Sequence, residues 1–133
     1  YLGPYAAGAS VTSPILSLDS HKGVIVTFNM AWIDSWDQEM FMIYADGVLV
    51  YSKTYGGASS PSNTCQNQWK DAYEIITFGF NHTASTLVFT ITSNLNSPSS
   101  DEAWGICDFT ITTSSYQVTS SGVEIITDIN FID

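Results

Sequence analysis

Two short acidic segments are the most chemically pointed features of a chain in which charged residues are only 12% of positions. One is Asp34-Ser35-Trp36-Asp37-Gln38-Glu39, which follows a strongly alternating apolar run; the other is Asp101-Glu102, which precedes the last such run. If those two runs are antiparallel neighbours, the exit of one lies beside the entrance of the other. Up to five carboxylates, Asp34, Asp37, Glu39, Asp101 and Glu102, would then meet at one end. Several carboxylate oxygens with few nearby cations suit Ca²⁺, which takes about six to eight oxygen ligands in flexible geometry. The alternative is that these acids are solvated or cap backbone amides at strand ends.

Aromatic residues sit in the same neighbourhoods. Trp36 and Trp104 can each stack on a sugar or plug the end of a core, with the indole N–H bonded to a polar partner. Trp32 lies four residues before Trp36, which favours the plug. Trp69, beside Lys70 and Asp71 in a long polar stretch, is the better candidate for an exposed carbohydrate contact, with Tyr51 and Tyr55 as its companions. Paired carboxylates also raise glycosidase chemistry. The chain has no Gly-x-Ser-x-Gly and no His-Glu-x-x-His motif. His21 falls in a turn and His82 in the tripeptide Asn81-His82-Thr83, places more typical of surface residues than of catalysts. The residues read as a non-enzyme.

Alternation defines the elements that would hold these groups. Val24, Val26, Phe28, Met30 and Trp32 share one face of an extended segment, and Thr27, Asn29 and Ala31 share the other. Phe41, Ile43 and Ala45 lead into Asp46-Gly47, a two-residue hairpin signal, and Val48 to Tyr55 returns as the partner strand. Further strands read at Val11 to Leu18, Tyr73 to Phe80, Leu87 to Ser93 and Ile106 to Thr113, with a turn at Ser20-His21-Lys22-Gly23. No segment keeps a helical period and no internal repeat is visible. The expectation is an all-β fold, an antiparallel β-sandwich or jelly roll with extended terminal strands. The organisation reads as an N-terminal arm at 1–10, a sandwich at 11–115 and a C-terminal strand at 116–133.

Totals narrow the setting. Three lysines, no arginine and thirteen acids give a net charge of −10, so the cationic surface required by nucleic acid or anionic lipid is lacking. No apolar run approaches the roughly 20 residues of a spanning helix. The chain opens on Tyr1, without a signal-peptide pattern, and reads as a processed or excised product. Serine and threonine make up roughly a quarter of the residues, a composition suited to an extracellular or cell-surface β module. Cys65 and Cys107 are an even pair, consistent with one disulfide in an oxidising compartment or with two buried thiols. Asn81 is a glycosylation acceptor where the host has that machinery.

The C-terminal segment carries more apolar surface than a solvated tail would. Val123, Ile125, Ile129 and Phe131 share one face of an extended stretch, with Ile126 and Ile132 on the other. Such a ribbon either completes its own sheet or adds to a neighbouring molecule, which would make the protein a homo-oligomer or filament. The uncharged N-terminal YLGPYAAGAS is a second candidate for an intermolecular arm.

The segments TFNMAWIDSWDQEMFMIYADGVLVY and TLVFTITSNLNSPSSDEAWGICDFTI resemble a recurrent extracellular β-sandwich module of large secreted and surface proteins of bacteria and protists. The likeness runs from about Gly23 to Thr113 and rests on Asp34-Ser35-Trp36-Asp37, the Asp46-Gly47 hairpin and a closing DESWGIDNF-like motif, here Asp101-Glu102-Ala103-Trp104-Gly105-Ile106. Ala103 stands where the motif has Ser, and Cys107-Asp108 where it has Asp-Asn. The resemblance implies an architecture similar to carbohydrate-binding and adhesin domains.

Overall fold

A computed structural model describes residues 2–34, 36, 38–55, 72–95 and 102–118. It is an all-β, antiparallel β-sandwich. One sheet is ordered β1 (Leu2–Tyr5), β10 (Glu102–Ser114), β4 (Gly23–Asp34) and β7 (Ala72–Asn81). The other is ordered β2 (Ser10–Thr12), β9 (Phe89–Ser93), β5 (Glu39–Ala45) and β6 (Val48–Tyr55). A small pair joins β3 (Leu16–Ser17) to β8 (Thr86–Leu87).

The period-two pattern of β4 places Val24, Val26, Phe28, Met30 and Trp32 in the core, where they meet Phe41 and Ile43 of β5, Phe78 of β7, Phe89 of β9 and Trp104 of β10. Each fully buried side chain of this size contributes about 1.5–3 kcal/mol relative to exposure. Pairing between β5 and β6 closes through Asp46 and Gly47 at φ 50° and 82°. Positive φ at both central residues is what a two-residue hairpin with the strands' own twist needs, and Asp-Gly supplies it cheaply.

Two readings of long strands break in the structure for local reasons. Val11 to Leu18 is not one strand: Pro14 has no N–H to give, and β2 ends before it while β3 begins after it. Leu87 to Ser93 is interrupted at Val88, whose N–H and C=O are both taken by Asp46. The last strand begins earlier than the apolar run suggests, at Glu102, and carries a bulge between Cys107 and Thr110 with Asp108 at φ 54°. One extra residue changes parity, so the core-facing set passes from Trp104 and Ile106 to Phe109 and Ile111. The N-terminal residues 2–5 lie along the edge of their own sheet, with Leu2 opposite Ile106 and Tyr5 opposite Trp104.

Candidate functional site

At one end of the sandwich β4 and β10 run antiparallel, and their register sets Asp34 opposite Glu102. The backbone therefore has the neighbour relation on which the carboxylate cluster depends. Glu39, half-buried, opens β5 opposite Tyr55; Asp37 and Asp101 lie outside the described residues. Among the described residues no three acidic, histidine or cysteine side chains form a metal-holding group. Trp36 plugs this end: its indole N–H donates to the Ala103 carbonyl at 2.6 Å, and its ring meets Trp32 edge-on, centroids 4.9 Å apart. Trp104 is fully buried between Tyr5 and Phe41.

Of the aromatic residues read as sugar contacts, Trp69 lies outside the described residues. Tyr51 and Tyr55 sit on β6 with their rings laid against the core: Tyr51 on Phe78, centroids 4.8 Å apart, and Tyr55 on Trp32 at 4.4 Å with planes 13° apart. Burial pushes the Tyr51 phenol up to about 12, with the nearby Glu74 charge adding to the effect. The same two causes, in the same order, raise Tyr55. Glu74 itself ties the sheets together. Its Oε1 accepts from Lys53 Nζ at 2.7 Å and from Trp32 Nε1 at 3.0 Å, while the ammonium lies 5.9 Å from the centre of a Trp32 ring.

Cys107 is half-buried beside Asn29, whose Nδ2 donates to its sulfur at 3.6 Å; Cys65 lies outside the described residues. Asn81 ends β7 with its side-chain carbonyl accepting the Val118 N–H. Val118 is buried over Gly79 and Gly23. The ribbon residues Val123, Ile125, Ile129 and Phe131 follow outside the described residues.

Among the described residues the most connected titratable cluster lies at the opposite end of β4, and it contains both histidines. Pairing of β4 with β7 puts Gly23 opposite Asn81, so the turn holding His21 and the segment holding His82 leave the sheet side by side. His21 Nδ1 lies 2.5 Å from the Asp19 carbonyl, and His21 Nε2 lies 2.8 Å from His82 Nδ1. His82 Nε2 in turn lies 3.0 Å from Asp46 Oδ2 in the β5–β6 turn of the other sheet. The second oxygen, Asp46 Oδ1, accepts the Val88 N–H at 3.0 Å. Ring centroids 5.1 Å apart with planes 13° apart place the two imidazoles edge to edge, close to one plane. Their donors run in a line rather than converging on a point, which suits a relay of hydrogen bonds and not a coordination shell.

Sequence reading missed this relay because each residue has a bland local context. The only signal was the Asp46-Gly47 hairpin, and nothing local says which strand end that turn faces.

The His82 hydrogen bond, then the Val88 N–H, hold the Asp46 carboxyl below its ordinary value of 3.8, against a smaller opposing effect of desolvation. A depressed carboxyl stabilises the fold above the unfolded-state value, and that contribution disappears as pH falls through the lower folded value. Wild-type protein should therefore lose thermal stability below about pH 4 more steeply than Asp46→Ala. Melting temperatures across an acid series test this; parallel curves would show that the carboxylate bonds contribute nothing.

No family model matches this chain, and neither a curated protein nor a solved structure matches it.

Proposed function

We propose that this domain is a non-catalytic, extracellular structural subunit that joins copies of itself into a surface filament or fibril by strand addition. One observation carries the reading: β7, ten residues long, stands at the edge of its sheet among the described residues, with Ile75 72% exposed on it. Monomeric β proteins blunt such edges with short strands, proline or charge. Two of the other edges fit that practice, since β1 has four residues including Pro4 and β2 has three. The edge strand β7 does not, because its one charged side chain, Glu74, is already engaged by Lys53 and Trp32. An apolar ribbon such as 123–131 has the alternation that pairing with an open edge requires.

The test is the particle size of the full chain. Wild-type protein should form fibres or large oligomers in light scattering and electron microscopy. Ile75→Lys, and separately removal of Gly122 to Asp133, should reduce them to monomers with an unchanged circular dichroism spectrum. Fibres from either variant would overturn the proposal, as would a monomeric wild type.

Asp34 opposite Glu102 supports a second reading, a calcium-assisted carbohydrate-binding or adhesion module. A glycan array probed with and without chelator separates the two, because a pure scaffold has no sugar preference.

A further inference from the structure

We propose that His21, His82 and Asp46 form a proton-holding clasp between the two sheets, complete only when the two imidazoles together carry one proton more than two neutral rings. Three contacts link the Asp19 carbonyl, the two rings and the Asp46 carboxylate, at 2.5, 2.8 and 3.0 Å. Each is of hydrogen-bond length and each needs one hydrogen between its heavy atoms. The Asp19 carbonyl can only accept, and so can an ionised Asp46 carboxylate. All three hydrogens must then come from the four ring nitrogens. Two neutral imidazoles supply two.

With only two, one contact fails. If His21 donates to Asp19 and His82 donates to His21, the bare Nε2 of His82 points at the Asp46 carboxylate, lone pair against negative charge. If His82 instead donates to Asp46, both inner nitrogens, 2.8 Å apart, are bare. A fourth hydrogen is equally disruptive, since it puts two N–H groups face to face across the same gap. Three is the one number that satisfies every contact. The excess proton sits between the two inner nitrogens or on either ring, and Asp46 balances its charge. The carboxyl is the only other place for the third hydrogen, and the His82 and Val88 bonds hold it below its ordinary range.

Surroundings fit a built site rather than a chance meeting. His21 is only 6% exposed and the His82 side chain 9%, while the Asp46 side chain at the outer end of the row is 41% exposed. The Phe80 ring meets His82 at 82°, closing one side. Of the ionisable groups nearby, Asp46 comes from the β5–β6 turn, while Asp19 and Lys22 flank His21 in the turn before β4. From the ends of β7 and β8, Phe80, Asn81 and Val88 bring no charge. Because Asp46 lies in the β5–β6 turn of one sheet while the rings flank the ends of β4 and β7 in the other, removing the excess proton loosens the link between the hairpin turn and those strand ends. The clasp therefore opens as the solution becomes alkaline.

Long-range ¹H–¹⁵N correlation of the imidazoles in the labelled full chain at neutral pH tests this. Wild type should show three hydrogens over the four ring nitrogens. Asp46→Asn should show two, because its side-chain amide can itself donate to His82 Nε2 and a neutral pair then completes the chain. Two neutral rings in wild type would overturn the proposal, and this count decides the matter even if the variant does not fold. A second readout is exchange of the Val88 amide, corrected for its intrinsic base catalysis. Its protection should fall by up to about tenfold per pH unit on the alkaline side in wild type, the limit for release of one proton, and stay level in Asp46→Asn. An equal fall in both proteins would also overturn it.

Discussion

Trp32→Ala should cost about 3–5 kcal/mol of unfolding free energy, the upper range for a large buried aromatic. Against a total of about 5–15 kcal/mol for a domain, that leaves the fold marginal at 25 °C. The size of the effect follows from how many neighbours share this one ring. Trp32 is 1% exposed, meets Trp36 and Phe41 edge-on, and has Tyr55 stacked on it. Truncation removes the transfer free energy of the indole and leaves a void walled by strands of both sheets, which cannot collapse without shifting their register. It also strips Glu74 of one donor. Urea unfolding followed by tryptophan fluorescence should show a lower midpoint at unchanged slope. A loss under about 1 kcal/mol would mean that the ring is not the centre of this packing.

Glu74→Ala should be the next most damaging, at about 1–3 kcal/mol, although the residue lies on an edge strand. The ion pair with Lys53 is not the reason, since partly exposed pairs contribute about 0–1 kcal/mol. The cost comes from the Trp32 N–H, which loses its acceptor while the indole that carries it stays buried. Glu74→Gln keeps a carbonyl at the same place and should recover most of the loss while giving up the charge. The pair of variants thus separates hydrogen bond from ion pair: equal destabilisation by Ala and Gln would assign the effect to charge. Because Glu74 and Trp32 touch, the double variant Trp32→Ala/Glu74→Ala should cost less than the sum of the singles.

Alternation alone determined that this chain is all-β, which faces of β4 and β5 turn inward, and where the Asp46-Gly47 hairpin closes. These are local consequences of a period of two and of the φ values that Asp-Gly tolerates. The neighbour relation of Asp34 and Glu102 could also be read, given one assumption about which strands pair. Tertiary structure decided the rest. Strand partners are non-local, so no short window shows that β10 lies between β1 and β4, or that one bulge residue at Cys107–Thr110 reverses which side chains reach the core. The relay belongs to the same class: His21, Asp46 and His82 come from three turns or strand ends in two sheets, and only packing one sheet on the other brings a hairpin carboxylate to a pair of imidazoles. Hydrogen bonds join atoms a few ångströms apart in space, whereas sequence patterns report only the direction each residue faces along its own strand.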